Sequence, residues 1–174
     1  MVRCCAMLKN KSRKFVYLII AVLLTAACIW RFWPHSFTEI LPLDQEKLTG
    51  LHSHCVIVGI ADGGLQMDTY LLDLSRTDEG FAEVLKNLAA SKYRQDFRNI
   101  LGSDGFTHYG GTNTIYLQLR SDESSSESVY LVFLSDKLCS LISADGSGSV
   151  LYHPSDRSLY GRLAEYIQQN GARK

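Results

Sequence analysis

The sequence predicts an α+β protein: an N-terminal transmembrane helix, then one domain in which an antiparallel sheet packs against two helices. Three observations carry that expectation. Residues 15–30, FVYLIIAVLLTAACIW, hold no charge and follow Arg3, Lys9, Lys11, Arg13 and Lys14. Beyond Gly50, short β-rich runs alternate with Gly, Asp and Ser clusters, the pattern of hairpins. Two longer stretches, near 78–90 and after Ser155, repeat their apolar residues at helical spacing.

The N-terminal third divides into a basic cytoplasmic segment at 1–14, a transmembrane signal anchor at 15–33 and a linker at 34–50. Spanning a bilayer as a helix takes about 20 apolar residues. Counting Arg31, Phe32 and Trp33 lengthens the run to nineteen; the Arg31 guanidinium can reach the headgroups, and Trp30 and Trp33 suit the interface. No acidic residue precedes Glu39, so the positive flank stays cytoplasmic and residues 51–174 face the far side as a single-pass, extracytoplasmic domain. Two other readings remain open. Thr25-Ala26-Ala27 suits a cleaved signal, and Leu24-Thr25-Ala26-Ala27-Cys28 resembles the lipobox of bacterial lipoproteins, which implies acylation of Cys28.

Formal net charge is zero over 174 residues, yet the halves differ. Six of the eighteen Lys/Arg lie in the first thirty-three residues, which have no Asp/Glu, leaving twelve basic against eighteen acidic residues and a net of −6 beyond them. An acidic domain without a basic stripe excludes nucleic acid as a partner. Of five cysteines, Cys4 and Cys5 lie in the basic cytoplasmic segment, and Cys55 and Cys139 form the only exported pair. An oxidising compartment permits a disulfide between those two, while buried free thiols suit the same apolar surroundings.

The elements follow in order. Pro34 and Pro42 bracket an irregular linker containing Phe37, Ile40, Leu41 and Leu43. His52–Ile60 and Leu65–Leu74 read as a hairpin across Asp62-Gly63-Gly64. Ser75 or Thr77 can cap a helix over 78–90, with Asp78 and Glu79 at its positive end and Phe81, Val84, Leu85 and Leu88 on one stripe. The next ten residues fit either a helical extension or a short strand, and Gly102–Gly111 marks a loop holding Phe106, His108 and Tyr109. Thr112–Arg120, Val129–Leu134, Leu138–Ser143 and Val150–Tyr152 are strands, separated by the acidic loop SDESSSES, the turn Ser135-Asp136-Lys137 and Asp145–Gly148. A last helix is capped at Ser155, buries Leu159, Leu163, Tyr166 and Ile167, and ends near Gly171.

Chemistry is sparse. His52 and His54 stand at i, i+2 and point to one face of a strand, so with His108, and Asp104 beside it, a metal or acid–base site can be drawn, although no ligand spacing specifies one. Two polar residues on a solvated strand are the simpler reading. No nucleophile elbow, phosphate loop or calcium loop occurs, and no cofactor is implied. Most tyrosines fall where aromatic packing is expected, whereas Phe106, Tyr109 and Tyr93 look placed for an exposed recognition patch.

A short anchor, a hairpin, the helix with Phe81-Ala82-Glu83-Val84-Leu85, then Lys92-Tyr93-Arg94 and a closing series of strands resembles, over Cys55 to Tyr152, the small membrane-anchored extracytoplasmic domains of unknown function from Gram-positive-type bacteria. The resemblance implies a place in the cell envelope and transfers no activity. The expected function is non-catalytic binding of a protein or peptide there, with the strand at Val150–Tyr152 as a candidate edge for a partner strand. The alternatives are a small metal-binding protein or enzyme using His52, His54 and His108, and an inhibitor or self-protection protein whose acidic surface meets a basic partner.

Overall fold

The structure is a computed structural model that describes residues 2–61, 64–100, 113–121, 128–143 and 148–174. It divides into two units, residues 1–33 and 34–174.

The first unit is helix α1, Val2–Arg31. The expected transmembrane helix is corrected, because among the described residues no helix is long and apolar enough to cross a membrane. Length supplies the reason. The charge-free run of sixteen residues is closed by Lys14 and Arg31, and at about 1.5 Å per residue it reaches only ~24 Å of the ~30 Å hydrocarbon core. Phe15, Leu23 and Trp30 are all exposed on it.

The second unit is built on one nine-stranded sheet rather than the six strands read from the sequence. In chain order it contains β1 (His35–Ser36), α2 (Phe37–Ile40), a single-turn helix at Gln45–Lys47, β2 (Gly50–Ala61), β3 (Gly64–Ser75), α3 (Glu79–Ala90) and β4 (Lys92–Gln95). A second single-turn helix at Phe97–Ile100 follows, then β5 (Thr114–Arg120), β6 (Ser128–Ser135), β7 (Leu138–Ser143), β8 (Ser149–Pro154), α4 (Leu159–Asn170) and β9 (Ala172–Arg173). The strand order is β1-β4-β8-β7-β6-β5-β2-β3-β9, and each neighbouring pair is antiparallel.

The expected linker is therefore structured. Ser36 and Glu39 form a capping box, which turns the chain into α2 and buries Phe37 and Ile40. Phe37 packs against Tyr93 with ring centroids 5.9 Å apart. Tyr93, expected on an exposed patch, is instead fully buried, and its hydroxyl donates to the Leu88 carbonyl at 2.9 Å. Its ring lies on the inward side of a four-residue strand too short for its period to be read from sequence.

Alternation in β2 sorts the two faces of the sheet. Leu51, Ser53 and Cys55 are buried on the face shared with Leu117, Leu119, Leu131 and Phe133. That face, with Phe81, Val84 and Leu88 of α3 and Leu159, Leu163 and Ile167 of α4, makes the main core. Gly80 lets α3 approach α4, since a Cβ there would collide with the Tyr166 hydroxyl. The opposite face carries a smaller cluster of Val132, Leu134, Leu138 and Leu151. A bulge at Leu134 shifts the β6–β7 register between Phe133 and Ser135. The tip of the first hairpin at 62–63, the loop over 101–112, most of the acidic loop (122–127) and the turn at 144–147 lie outside the described residues.

Candidate functional site

His52 and His54 emerge on the face of β2 away from the helices, as their i, i+2 spacing requires, but each is engaged separately. His52 lies opposite Asp73 of β3 and donates from Nδ1 to the carboxylate at 2.7 Å, and Arg120 reaches the same oxygen at 3.4 Å. His54 stacks on Tyr116, with centroids 5.8 Å apart and planes at 29°. Asp73 and Arg120 border an open cleft of about 730 Å³, lined also by Thr49, Gly50, Leu74, Ser75 and Asp78. Its hydroxyl at Ser75 donates to Asp78 at 3.0 Å, as does the Ser75 N–H at 2.7 Å. Those bonds tie the end of β3 to the start of α3.

His153 sits four strand positions from β2, on β8. Its Nε2 meets Asp96 at 2.8 Å and its Nδ1 meets the Lys137 carbonyl at 2.8 Å. Arg98 forks onto the Asp96 carboxylate, with Nη2–Oδ2 at 2.7 Å, and its guanidinium holds that carboxyl down at about 2. Asn99 clamps the Leu151 backbone with two 2.9 Å hydrogen bonds. This cluster fastens the turn after β4 to β8.

The described histidines therefore do not converge. His52 and His54 are on β2, His153 is on β8, His35 is on β1, and His108 with Asp104 lies outside the described residues. Among the described residues no group of three or more His, Cys, Asp or Glu could hold a metal ion. Cys55 and Cys139 are also apart. Cys55 pairs with Ile115, Ile115 with Phe133, and Phe133 with Cys139, so three strand spacings separate the two sulfurs' strands. At roughly 4.8 Å per spacing that is about 14 Å, twice the ~7 Å limit for a disulfide. Both are free buried thiols, and burial pushes Cys55 up to about 11 and Cys139 higher still. Cys28 is a free, exposed thiol on α1.

The expected strand-accepting edge at Val150–Tyr152 is closed, because β8 lies between β7 and β4. Among the described residues an open edge is found on β3. β2 and β3 pair along their full twelve residues, from Gly50–Ser75 to Ala61–Gly64, whereas β5 covers β2 only from Gly50 to Val56. The hairpin thus runs on past the sheet, and at Val58 its N–H is met by the Asn113 side chain at 2.7 Å. On the other side β9 pairs with Tyr70 and Leu71 alone, and the Lys174 N–H donates to the Thr69 carbonyl at 2.9 Å.

That last bond fixes the parity of the edge: Thr69 and Leu71 direct their backbone groups outward, so two residues on, Met67 does too. Among the described residues no strand pairs with β3 from Gly64 to Asp68 on this side, and Met67 is 66% exposed. Beside it the Asp68 carboxylate accepts from Arg173 at 2.6 Å and from Gln66 at 3.3 Å. The Arg173 bond holds Asp68 below the ordinary carboxylate range. An exposed row of backbone donors and acceptors with one charged side chain beside it can recognise an extended segment by main-chain pairing. No local motif marks this edge, because it is defined by which residues of β3 the distant segment β9 pairs with.

Comparison with protein-family models, with curated proteins and with solved structures returns no match for this chain.

Proposed function

We propose that this chain is a non-catalytic protein- or peptide-binding domain of the cell envelope, acting outside the cytoplasm, and that it takes its partner as an extended strand on the open edge of β3. The observation that supports the reading most is the pairing on the outer side of β3: among the described residues β9 pairs with Tyr70 and Leu71, and no strand pairs with Gly64–Asp68. An edge left open over several residues is ordinarily blunted by charge, proline or a covering element. Gly64–Asp68 has a single charge, no proline and no described cover. The envelope location is supported by the unopposed basic segment and by the charge-free run at 15–30, whose apolar side chains stand exposed on α1.

The test is selection of twelve-residue displayed peptides on the full chain in detergent micelles, compared with Met67→Pro. Proline is tolerated on a strand edge but removes the outward N–H, so it deletes one docking bond and spares the ladder to β2. The expected result is a set of enriched extended peptides that bind the variant at least about tenfold more weakly, the loss of roughly 1.4 kcal/mol. Failure to enrich any peptide, or equal binding by the variant, would overturn the reading.

A further inference from the structure

We infer that β9 is a built-in stand-in for the partner strand: Ala172–Arg173 occupies the middle of the β3 edge, and an extended segment carrying an arginine or lysine for Asp68 displaces it. The inference rests on the strand-binding reading above and adds the chemistry of the partner and a means of regulation.

The seat of β9 is small. It consists of the pairs Tyr70–Arg173 and Leu71–Ala172 and the Lys174–Thr69 hydrogen bond, and both strand residues are exposed. Little apolar area holds it, so it belongs to the part of the fold that opens locally at low cost. Its side-chain contact is specific by comparison. Arg173 stands diagonally across from Asp68 and donates at 2.6 Å, a charge-assisted bond that defines what an incoming strand must bring.

The junction with α4 suits release without disturbing the core. Gly171 is the C-cap of α4 and lies so close to two carbonyls that a Cβ there would meet Ile167 O at 2.5 Å and Leu71 O at 2.8 Å. The buried stripe of α4 ends before it at Ile167, so unseating 172–174 leaves Leu159, Leu163 and Ile167 in place. A longer strand has more to gain. It pairs at Leu71 and Thr69 as Ala172–Lys174 do and continues to Met67 and beyond, adding main-chain bonds to residues of β3 that no described strand pairs with on this side.

The experiment is fluorescence anisotropy on the full chain in micelles with two labelled twelve-residue peptides of alternating Thr and Val, one with a central Arg and one with a central Glu. Arg173→Glu places a like charge beside Asp68, and Ala172→Pro removes the N–H that faces Leu71, so two unrelated changes each release β9. If β9 covers the edge nine-tenths of the time, release tightens apparent binding of the Arg peptide about tenfold. The expected result is that gain in both variants, preference for the Arg over the Glu peptide, and loss of the preference when Asp68→Ala is added. Equal binding by the unaltered chain and both released variants would overturn the stand-in role while peptide binding itself stood. Equal affinity for the two peptides would overturn the basic requirement, and dimerisation of the released variants without peptide binding would replace the peptide by a second copy. No binding of either peptide by any form would sink this inference together with the strand-binding reading.

Discussion

At the scale of single residues a dense polar arrangement surrounds Asp96, whose side chain is 7% exposed and receives Arg98 and His153. Its carboxyl is depressed to about 2 from an ordinary 3.8, first by the Arg98 side chain. A folded value below the unfolded one means the contribution to stability is full above pH 3.8 and is lost as pH falls through 2. Asp96→Asn keeps the size but loses the charge, and because Arg98 and His153 are more than a third exposed the cost is moderate, about 1–2 kcal/mol at pH 7. Urea denaturation across pH checks this: the substitution should lower stability at pH 7 and flatten the decline between pH 4 and 2, and an unchanged acid limb would count against it. Half of this cluster was legible, since Asp96 and Arg98 are neighbours that a turn can fold together. His153 was not, because 57 residues separate it from Asp96 and only the β4–β8 pairing joins them. A different set of pairings, β2–β5–β6–β7, explains why Cys55 and Cys139 share a row yet cannot bridge: the sequence leaves bridge and free thiols open, and register alone counts the strands between them.

At the scale of elements, what periodicity controls was legible. α3 spans Glu79–Ala90 and α4 spans Leu159–Asn170, each with its apolar stripe against the sheet. Leu163 lies in the middle of such a stripe at 1% exposure, so Leu163→Ala should cost about 2–5 kcal/mol in a denaturation series, against under about 0.5 kcal/mol for the exposed Gln168→Ala. Similar losses for the two would mean that α4 is not docked through this stripe. Elements defined by pairing rather than by pattern were not legible. β1 and β9 have two residues each, and nothing in His35–Ser36 or Ala172–Arg173 announces a strand until β4 and β3 are beside them. Helix α2 is a middle case. Its Ser36–Glu39 capping box stands in the sequence, but Pro34 and Pro42 around it read first as a linker. The cap of α4 moved for a tertiary reason: Ser155 is used by Lys92, whose N–H donates to its hydroxyl at 3.0 Å, and the helix begins after Ser158.

At the scale of the whole molecule, a run of antiparallel hairpins is enough to predict a sheet covered by helices, but not its strand order. Placing β8 between β7 and β4 closes the edge at Val150–Tyr152, while on β3 no described strand pairs with Gly64–Asp68 on the β9 side. The proposed binding function depends on that second edge. The measurement that tests it most directly is amide hydrogen exchange along β3 in the full chain, with and without the arginine peptide. Without peptide the Met67 amide, which points outward, should exchange quickly while Asp68, whose amide faces β2, is protected. Saturating peptide should slow Met67 by about a hundredfold and leave the amides of β6 unchanged. A Met67 amide that is already protected, or one whose exchange the peptide does not slow, would contradict the assignment of this edge as the binding surface.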